Sequence, residues 1–285
     1  MSSRLHFLNT ENSDCIIIES NGKFAMIDAG EDTEYPADKP HLNLKGFEKE
    51  VVKYINEHCS DENGNVTFEF ILGTHAHSDH IGGFDTVINQ PNVYIKKAYL
   101  KPYCEEGINK FEIREWDNLQ VYTQMINALN KKSVPVIEAF DGLKETIGEF
   151  DITFYNGTYV KPERRTGENR NSVFTLVEKN GKRALLAADM EYKYGAERLY
   201  GDIVGRVELL KVAHHGYLTS TTARFLKKLM PRYAIICNLS ERVNRETKQK
   251  LNDVSKSKIF YTGDSNGIIV EFSEEINITE NIMQR

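Results

Sequence analysis

The sequence predicts an α/β protein, a sandwich of two β-sheets with helices on the outside. Three observations predict it. Apolar strand segments followed by amphipathic helices fill the first half of the chain and recur in the second. A strand with the look of a buried one, residues 68–74, runs into Thr74-His75-Ala76-His77-Ser78-Asp79-His80, so a loop at a sheet edge presents the histidines. Residues of the same metal-binding kind recur as far as His215, so one domain over residues 1–285 is expected rather than two independent halves.

The elements follow in order. Strands are expected at 4–8, 15–20 and 23–28, and Asn21-Gly22 between the last two is a strong hairpin signal. A polar loop with Pro36 and Pro40 leads to a helix over 44–58, with Phe47, Val51, Val52, Tyr54 and Ile55 on its apolar face. After the histidine-rich loop and Gly82-Gly83 come a short helix at 84–89 and a strand at 93–100. Residues 114–131 read as one long helix, because Leu119, Tyr122, Ile126 and Leu129 recur at helical spacing. The second half returns to strands at 152–155, 173–178, 182–188 and 207–213, and to helices near 223–230 and 246–256. The last strands are 233–237, 258–261 and 267–272.

Imidazole nitrogen and carboxylate oxygen suit zinc, and suit iron or manganese less selectively. Four such donors inside six residues cannot all enclose one tetrahedral ion without leaving the rest of the protein idle. Two ions is the economical arrangement, with His75 and His77 on one and Asp79 and His80 on the other. A solvated histidine-rich loop is the bland alternative, and the buried strand before the cluster disfavours it. Asp189 ends an apolar strand, where a lone carboxylate is expensive to bury. A bridge between two cations would resolve that cost; a helix N-cap for the segment from Glu191 is the alternative. His214 and His215 end another strand and must point in different directions, so one of them is expected to be a direct ligand.

The His-x-His-x-Asp-His pattern resembles that of the metallo-β-lactamase-fold hydrolases. The apolar segment ending in Asp28-Ala29-Gly30, the strand ending in Asp189 and the paired histidines match further pieces of that layout, in order. Segments 13–22, 28–36, 116–119, 169–172 and 194–197 are similar to the catalytic module of the bacterial phosphorylcholine esterase. More distantly, the chain resembles the metal-dependent domain of the competence-type DNA-uptake channel. The likeness runs through about residue 240 and fades after it.

This resemblance implies an αββα sandwich of two mixed β-sheets. It implies two divalent ions, zinc first with Mn2+ or Fe2+ as alternatives, held by His75, His77, Asp79, His80, Asp189 and His215. The implied reaction is hydrolysis of a phosphate ester, in particular a phosphodiester such as a phosphorylcholine ester, by a water activated at the ions. Asp189 would bridge, and His215 would serve the second ion. His214 would stand by the phosphate as a charge stabiliser or proton donor, and Asp79 would help to position water. Asp28 would orient ligands from below, or be only a turn residue before Gly30. The chain departs from the family in having no histidine between His80 and His214. Asn169-Arg170-Asn171-Ser172 stands in that place, so Asn169 and Asn171 either hold the substrate phosphate or form a plain turn. Trp116, the sole tryptophan, either walls a cation–π site for a quaternary ammonium or packs in a helix core. Tyr35, Tyr159, Tyr192 and Tyr217 lie near the motif loops, whereas His6, His41 and His58 have no partner motif.

The net charge of −6 speaks against an extended nucleic-acid footprint, which leans on clustered Lys and Arg. A small phosphate ester is therefore the expected partner. A nuclease or cyclic-nucleotide phosphodiesterase is the alternative among enzymes, and a non-catalytic metal-binding interaction or sensor module the alternative outside them. The cysteines are far apart, and Cys15 and Cys237 sit in apolar strands, so free thiols are expected. With no apolar leader and no bilayer-length stretch, a cytoplasmic location without a membrane partner is expected.

Overall fold

The computed structural model describes residues 2–283. Its first sheet runs in the order Ile276–Glu280, Ile268–Phe272, Ser3–Phe7, Cys15–Ser20, Lys23–Ala29, Val66–Gly73, Ala98–Leu100 and Val136–Ile137. Val93–Ile95 also pairs with Val66–Gly73. Pairing is antiparallel up to Lys23–Ala29 and parallel from there on. The second sheet runs Lys258–Tyr261, Tyr233–Ile236, Leu209–Lys211, Lys182–Leu186, Phe174–Lys179, Phe150–Tyr155 and Lys144–Ile147. Its first four strands are parallel and the rest antiparallel.

Both sheets are covered on both faces, which is why their central strands read as unbroken apolar runs. In Cys15–Ser20, Ile16 and Ile18 point into the layer between the sheets, with Phe70, Leu72, Phe154 and Leu186. Cys15 and Ile17 point the other way, toward Val51, Ile55, Phe84 and Met125 of the helices. On the far side of the second sheet, Leu185, Leu210 and Ala234 pack under Val204, Phe225 and Leu229. The result is the αββα sandwich with two mixed sheets. The Asn21-Gly22 turn has φ of 54° and 71°, the paired left-handed geometry that such a hairpin needs. Cys15 and Cys237 are fully buried and all the cysteines are free. Among the described residues no helix is long and apolar enough to cross a membrane.

Several expected elements are cut shorter by the site they serve. The helix expected over 114–131 is two, Lys110–Glu115 and Asn118–Lys131. Trp116, extended with ψ of 167°, separates them, so it does not pack in a helix core. Asn109 caps the first of the two by accepting from the amide of Glu112. The strands expected to reach 188 and 213 end at Leu186 and Lys211, where the chain leaves the ladder to turn Asp189 and the paired histidines inward. The 93–100 strand breaks at Lys96-Lys97, whose ammonium groups turn to Glu69 and Glu145. The helix expected from 44 starts at Glu48, and the one over 246–256 changes to a π turn at Leu251–Ser255. The strands Lys144–Ile147 and Ile276–Glu280 and the helix Ala196–Val204 were not anticipated; the two strands lie at sheet edges, partly exposed, where alternation is weak.

Candidate metal centre

The site forms where strands of both sheets end side by side. Val66–Gly73 delivers His75 in a bend and His77 on extended backbone, then the short helix Ser78–Ile81 carries Asp79 and His80. Lys23–Ala29 contributes Asp28, and the second sheet contributes Asp189 after Lys182–Leu186 and the two histidines after Leu209–Lys211. Asp28, Ala188, His214 and His215 all have positive φ, between 42° and 55°. L-residues avoid this region, and its concentration at one place marks a constrained site.

Each buried histidine of the cluster has one ring nitrogen tied and the other left to face a neighbour. His80 donates from Nδ1 to Asp28 Oδ2 at 2.7 Å, and His215 donates from Nδ1 to the Cys237 carbonyl at 3.1 Å. Thr74 Oγ1 gives its proton to Asp28 Oδ2, so it accepts from His75 Nδ1 at 3.1 Å. His77 donates from Nε2 to Glu112 Oε2 at 3.4 Å. These acceptors set the tautomers, leaving lone pairs at His75 Nε2, His77 Nδ1, His80 Nε2 and His215 Nε2. His75 Nε2 and His77 Nδ1 are turned to one point, 3.0 Å apart.

Asp79, His80, Asp189 and His215 each place a donor atom within 4.8 Å of the others. Asp189 Oδ1 lies 3.3 Å from His80 Nε2 and 3.4 Å from His215 Nε2, and Asp79 Oδ2 lies 3.1 Å from His215 Nε2. His80 Nε2, His215 Nε2 and Asp189 Oδ1 are buried without a hydrogen-bond partner. Orphaned nitrogen lone pairs and carboxylate oxygens converging on one spot fit a divalent cation, and the mixed N/O set suits zinc, iron or manganese. Asp189 caps no helix; the turn after it starts at Tyr192 without a side-chain cap.

Charge bears this out. Burial, then His80 and His77, hold His75 well below its usual value, so it is neutral as a ligand must be. Burial acts the same way on His80 and His215, yet Asp189 and the neighbouring carboxylates outweigh it and raise both, His215 to about 10. Against its own burial, Asp189 is drawn below the carboxylate range by His215, His80 and His214. The carboxylates thus call for positive charge at this point.

His214 stands apart from the tied histidines. Its Nδ1 donates to Thr219 Oγ1 at 2.5 Å and its Nε2 accepts from the Asn169 amide at 3.3 Å, beside Asp189 Oδ2 at 3.7 Å. Burial lowers its pKa, which favours the neutral ring over the expected imidazolium. Asn169 Oδ1 is buried and unpartnered at the site, whereas Asn171 donates to Glu168 and lines a different depression. A cavity of about 290 Å³ opens over the cluster, lined by His77, Asp79, Asp189, His214, Trp116 and Tyr217 and by the acids Glu31 and Asp117. Trp116 stands edge-to-face on His77, 4.7 Å between centroids. Of the tyrosines near the motif loops, Tyr217 alone lines this cavity. His6 bonds Tyr54 and Glu19, His41 reaches the Glu115 carbonyl, and His58 packs on Tyr54, so all three are occupied elsewhere.

Sequence reasoning missed Glu112, Glu31, Asp117 and the buried pair Asp14–Lys211. Lys211 is fully buried, ion-paired with Asp14, bonded to the Ala188 carbonyl at 3.1 Å and 4.0 Å from Asp189. A lone lysine inside the apolar run 209–213 was the available signal. Glu112 gave none, since it precedes the expected helix and reads there as a surface residue.

No family model matches the chain. It is 24% identical over 197 residues to Recombination protein 2 of Haemophilus influenzae, covering 66% of this chain and 19% of that protein. The chain thus spans about a fifth of the length of the curated relative it matches. Among solved structures it is similar to the metallo-β-lactamase-fold protein YhfI of Bacillus subtilis, with a TM-score of 0.57, 11% identity and coverage of 95% and 100% of the two chains. It is also similar to Igni18, a metallo hydrolase of Ignicoccus hospitalis, with a TM-score of 0.50, 16% identity and coverage of 96% and 100%. A variant of the CmlA β-hydroxylase of Streptomyces venezuelae matches with a TM-score of 0.51 and 10% identity, over 95% of this chain and 54% of that one. These likenesses establish the metallo-β-lactamase fold, and that fold carries more than one chemistry.

Proposed function

We propose that this chain is a binuclear metal-dependent hydrolase of phosphate esters, acting on a phosphodiester whose alcohol carries positive charge, as in a phosphorylcholine ester. The observation that carries this reading is the cavity over the donor cluster. Trp116 and Tyr217 offer aromatic rings, Glu31 and Asp117 offer carboxyl groups that burial pushes above their usual range, Glu31 to about 8, and among the described residues no Lys or Arg lines it. Such walls suit an ammonium group, whose arrival favours the charged form of both acids.

His75 Nε2 and His77 Nδ1 would hold the first ion, and Asp79, His80 Nε2 and His215 Nε2 the second, with Asp189 shared. Two divalent ions bound there would supply an ionised water near neutral pH and offset phosphoryl charge. Asp28, Glu112 and the Cys237 carbonyl keep the ligand nitrogens aimed. The Asn169 amide, already within reach of His214, can donate to a phosphoryl oxygen. His214 presents an unprotonated Nε2 to the cavity, where it can accept a proton and return it to the departing alkoxide.

The test is hydrolysis of p-nitrophenylphosphorylcholine beside bis-p-nitrophenyl phosphate, with metal content measured on the same sample. Two metals and preference for the choline ester support the reading. Turnover of the generic diester alone would move it to nucleotide diesters, the direction the likeness to Recombination protein 2 suggests. Iron with no hydrolysis would favour oxidative chemistry, and an empty site the non-catalytic module.

A further inference from the structure

We propose that Asp32, Glu48 and Asp85 form a separate cation site for calcium, which fastens the short helix carrying Asp79 and His80. Their carboxylates come from three places: the loop after Lys23–Ala29, the first residue of Glu48–His58, and the first turn of Phe84–Asn89. One oxygen of each lies within 4.8 Å of the others. Among the described residues none of the three forms an ion pair.

A cluster of acids can be neutralised by protons, so the case rests on the oxygens left over. Asp32 is only 5% exposed; its Oδ1 accepts from the Glu34 amide at 2.8 Å, and its Oδ2 is buried with no partner. Asp85 Oδ1 is likewise buried and unpartnered. Glu48, also 5% exposed, accepts the hydroxyl protons of Thr33 and Thr86, which supports its charged form. Burial, followed among the acids by Glu48 and Asp85, raises Asp32 to about 7, the response of a carboxylate that lacks its counter-ion. The donors are all oxygen, with no imidazole or thiolate, which selects a hard cation over zinc. Calcium accepts an irregular set of carboxylate, amide and water oxygens, whereas magnesium demands a near-octahedral one.

The place of the cluster gives it a task. Gly82 follows the Ser78–Ile81 helix, and a Cβ there would lie 2.4 Å from the Asp32 amide nitrogen. A Cβ on Gly83 would lie 3.4 Å from Glu48 Cγ. The base of the helix that carries Asp79 and His80 therefore rests on the cluster, and an ion joining Asp32, Glu48 and Asp85 clamps it.

The experiment uses protein stripped of metals and reloaded with zinc, so that the metal centre is filled. Calcium titration should show one ion bound per chain by calorimetry. At about 100-fold over Kd it should raise the thermal midpoint by about 5 °C. Asp85→Asn, at a partly exposed position, and Asp32→Asn should each abolish that shift while keeping the wild-type zinc content. Absence of calcium binding in the wild type would overturn the proposal, as would an unchanged shift in both variants. Protein that is equally or more stable with Asp85→Asn and indifferent to calcium would mean that protons neutralise the cluster, which also overturns it. None of these readouts depends on the hydrolytic reading.

Discussion

Asp28 Oδ2 receives the Nδ1 proton of His80 at 2.7 Å, while Asp28 Oδ1 accepts from the Thr74 amide at 2.8 Å. A fully buried carboxylate thus holds together the start of the histidine-rich loop and the ring that faces Asp189. Replacing it by asparagine puts an amide donor where His80 needs an acceptor. Asp28→Asn should lower affinity for the second ion about 10–100-fold with the fold retained. Competition with a graded chelator, read beside far-UV circular dichroism, checks this; wild-type affinity would assign Asp28 to the turn alone.

Glu112 does for His77 what Asp28 does for His80, by accepting from Nε2 at 3.4 Å. Glu112→Gln should therefore weaken the first ion about tenfold and spare the second. Metal occupancy with sub-stoichiometric zinc separates the two variants. Equal loss of both ions in Glu112→Gln would show a fold defect instead.

The histidine cluster is legible because its donors are local in sequence, and the sandwich because strands such as Cys15–Ser20 are apolar on both faces. What could not be read was the tertiary layer around the donors. Glu112 meets His77 from 35 residues away, and Asp14 meets Lys211 from 197. Residues 114–131 looked continuous because helical periodicity does not reveal that Trp116 must turn outward to reach His77. The paired histidines announced a ligand and the resemblance favoured His215, but it is the partners of their rings that separate His215, tied to Cys237, from His214, open to the cavity.

Lys101 supplies a pH test of the fold. It is 7% exposed and donates to the Asn156 carbonyl at 2.8 Å, and burial lowers its pKa from 10.5 to about 7. Between those values the unfolded chain binds a proton that the folded chain does not. Stability should therefore rise as pH increases above about 7, with a slope of at most about 1.4 kcal/mol per pH unit from this group. Below that the burial cost of the ammonium is carried in full. Urea unfolding across this window should lose the rising component in Lys101→Met; an identical slope in the variant would exclude the lysine as its source.

Trp116 decides between a cation-binding cavity and a generic one. It lines the cavity with Glu31, Asp117 and Tyr217, and its contact with His77 means that removal could also disturb the first ion. The two effects separate by substrate. Loss of a cation–π contact should raise KM for the choline ester by about tenfold in Trp116→Ala. Turnover of bis-p-nitrophenyl phosphate, which has no cation, should change by less than about twofold. A displaced ion would instead depress kcat for both substrates and lower the metal content. Trp116→Phe keeps an aromatic ring and should restore most of the choline preference; equal behaviour of the alanine and phenylalanine variants toward the two esters would remove Trp116 from substrate recognition.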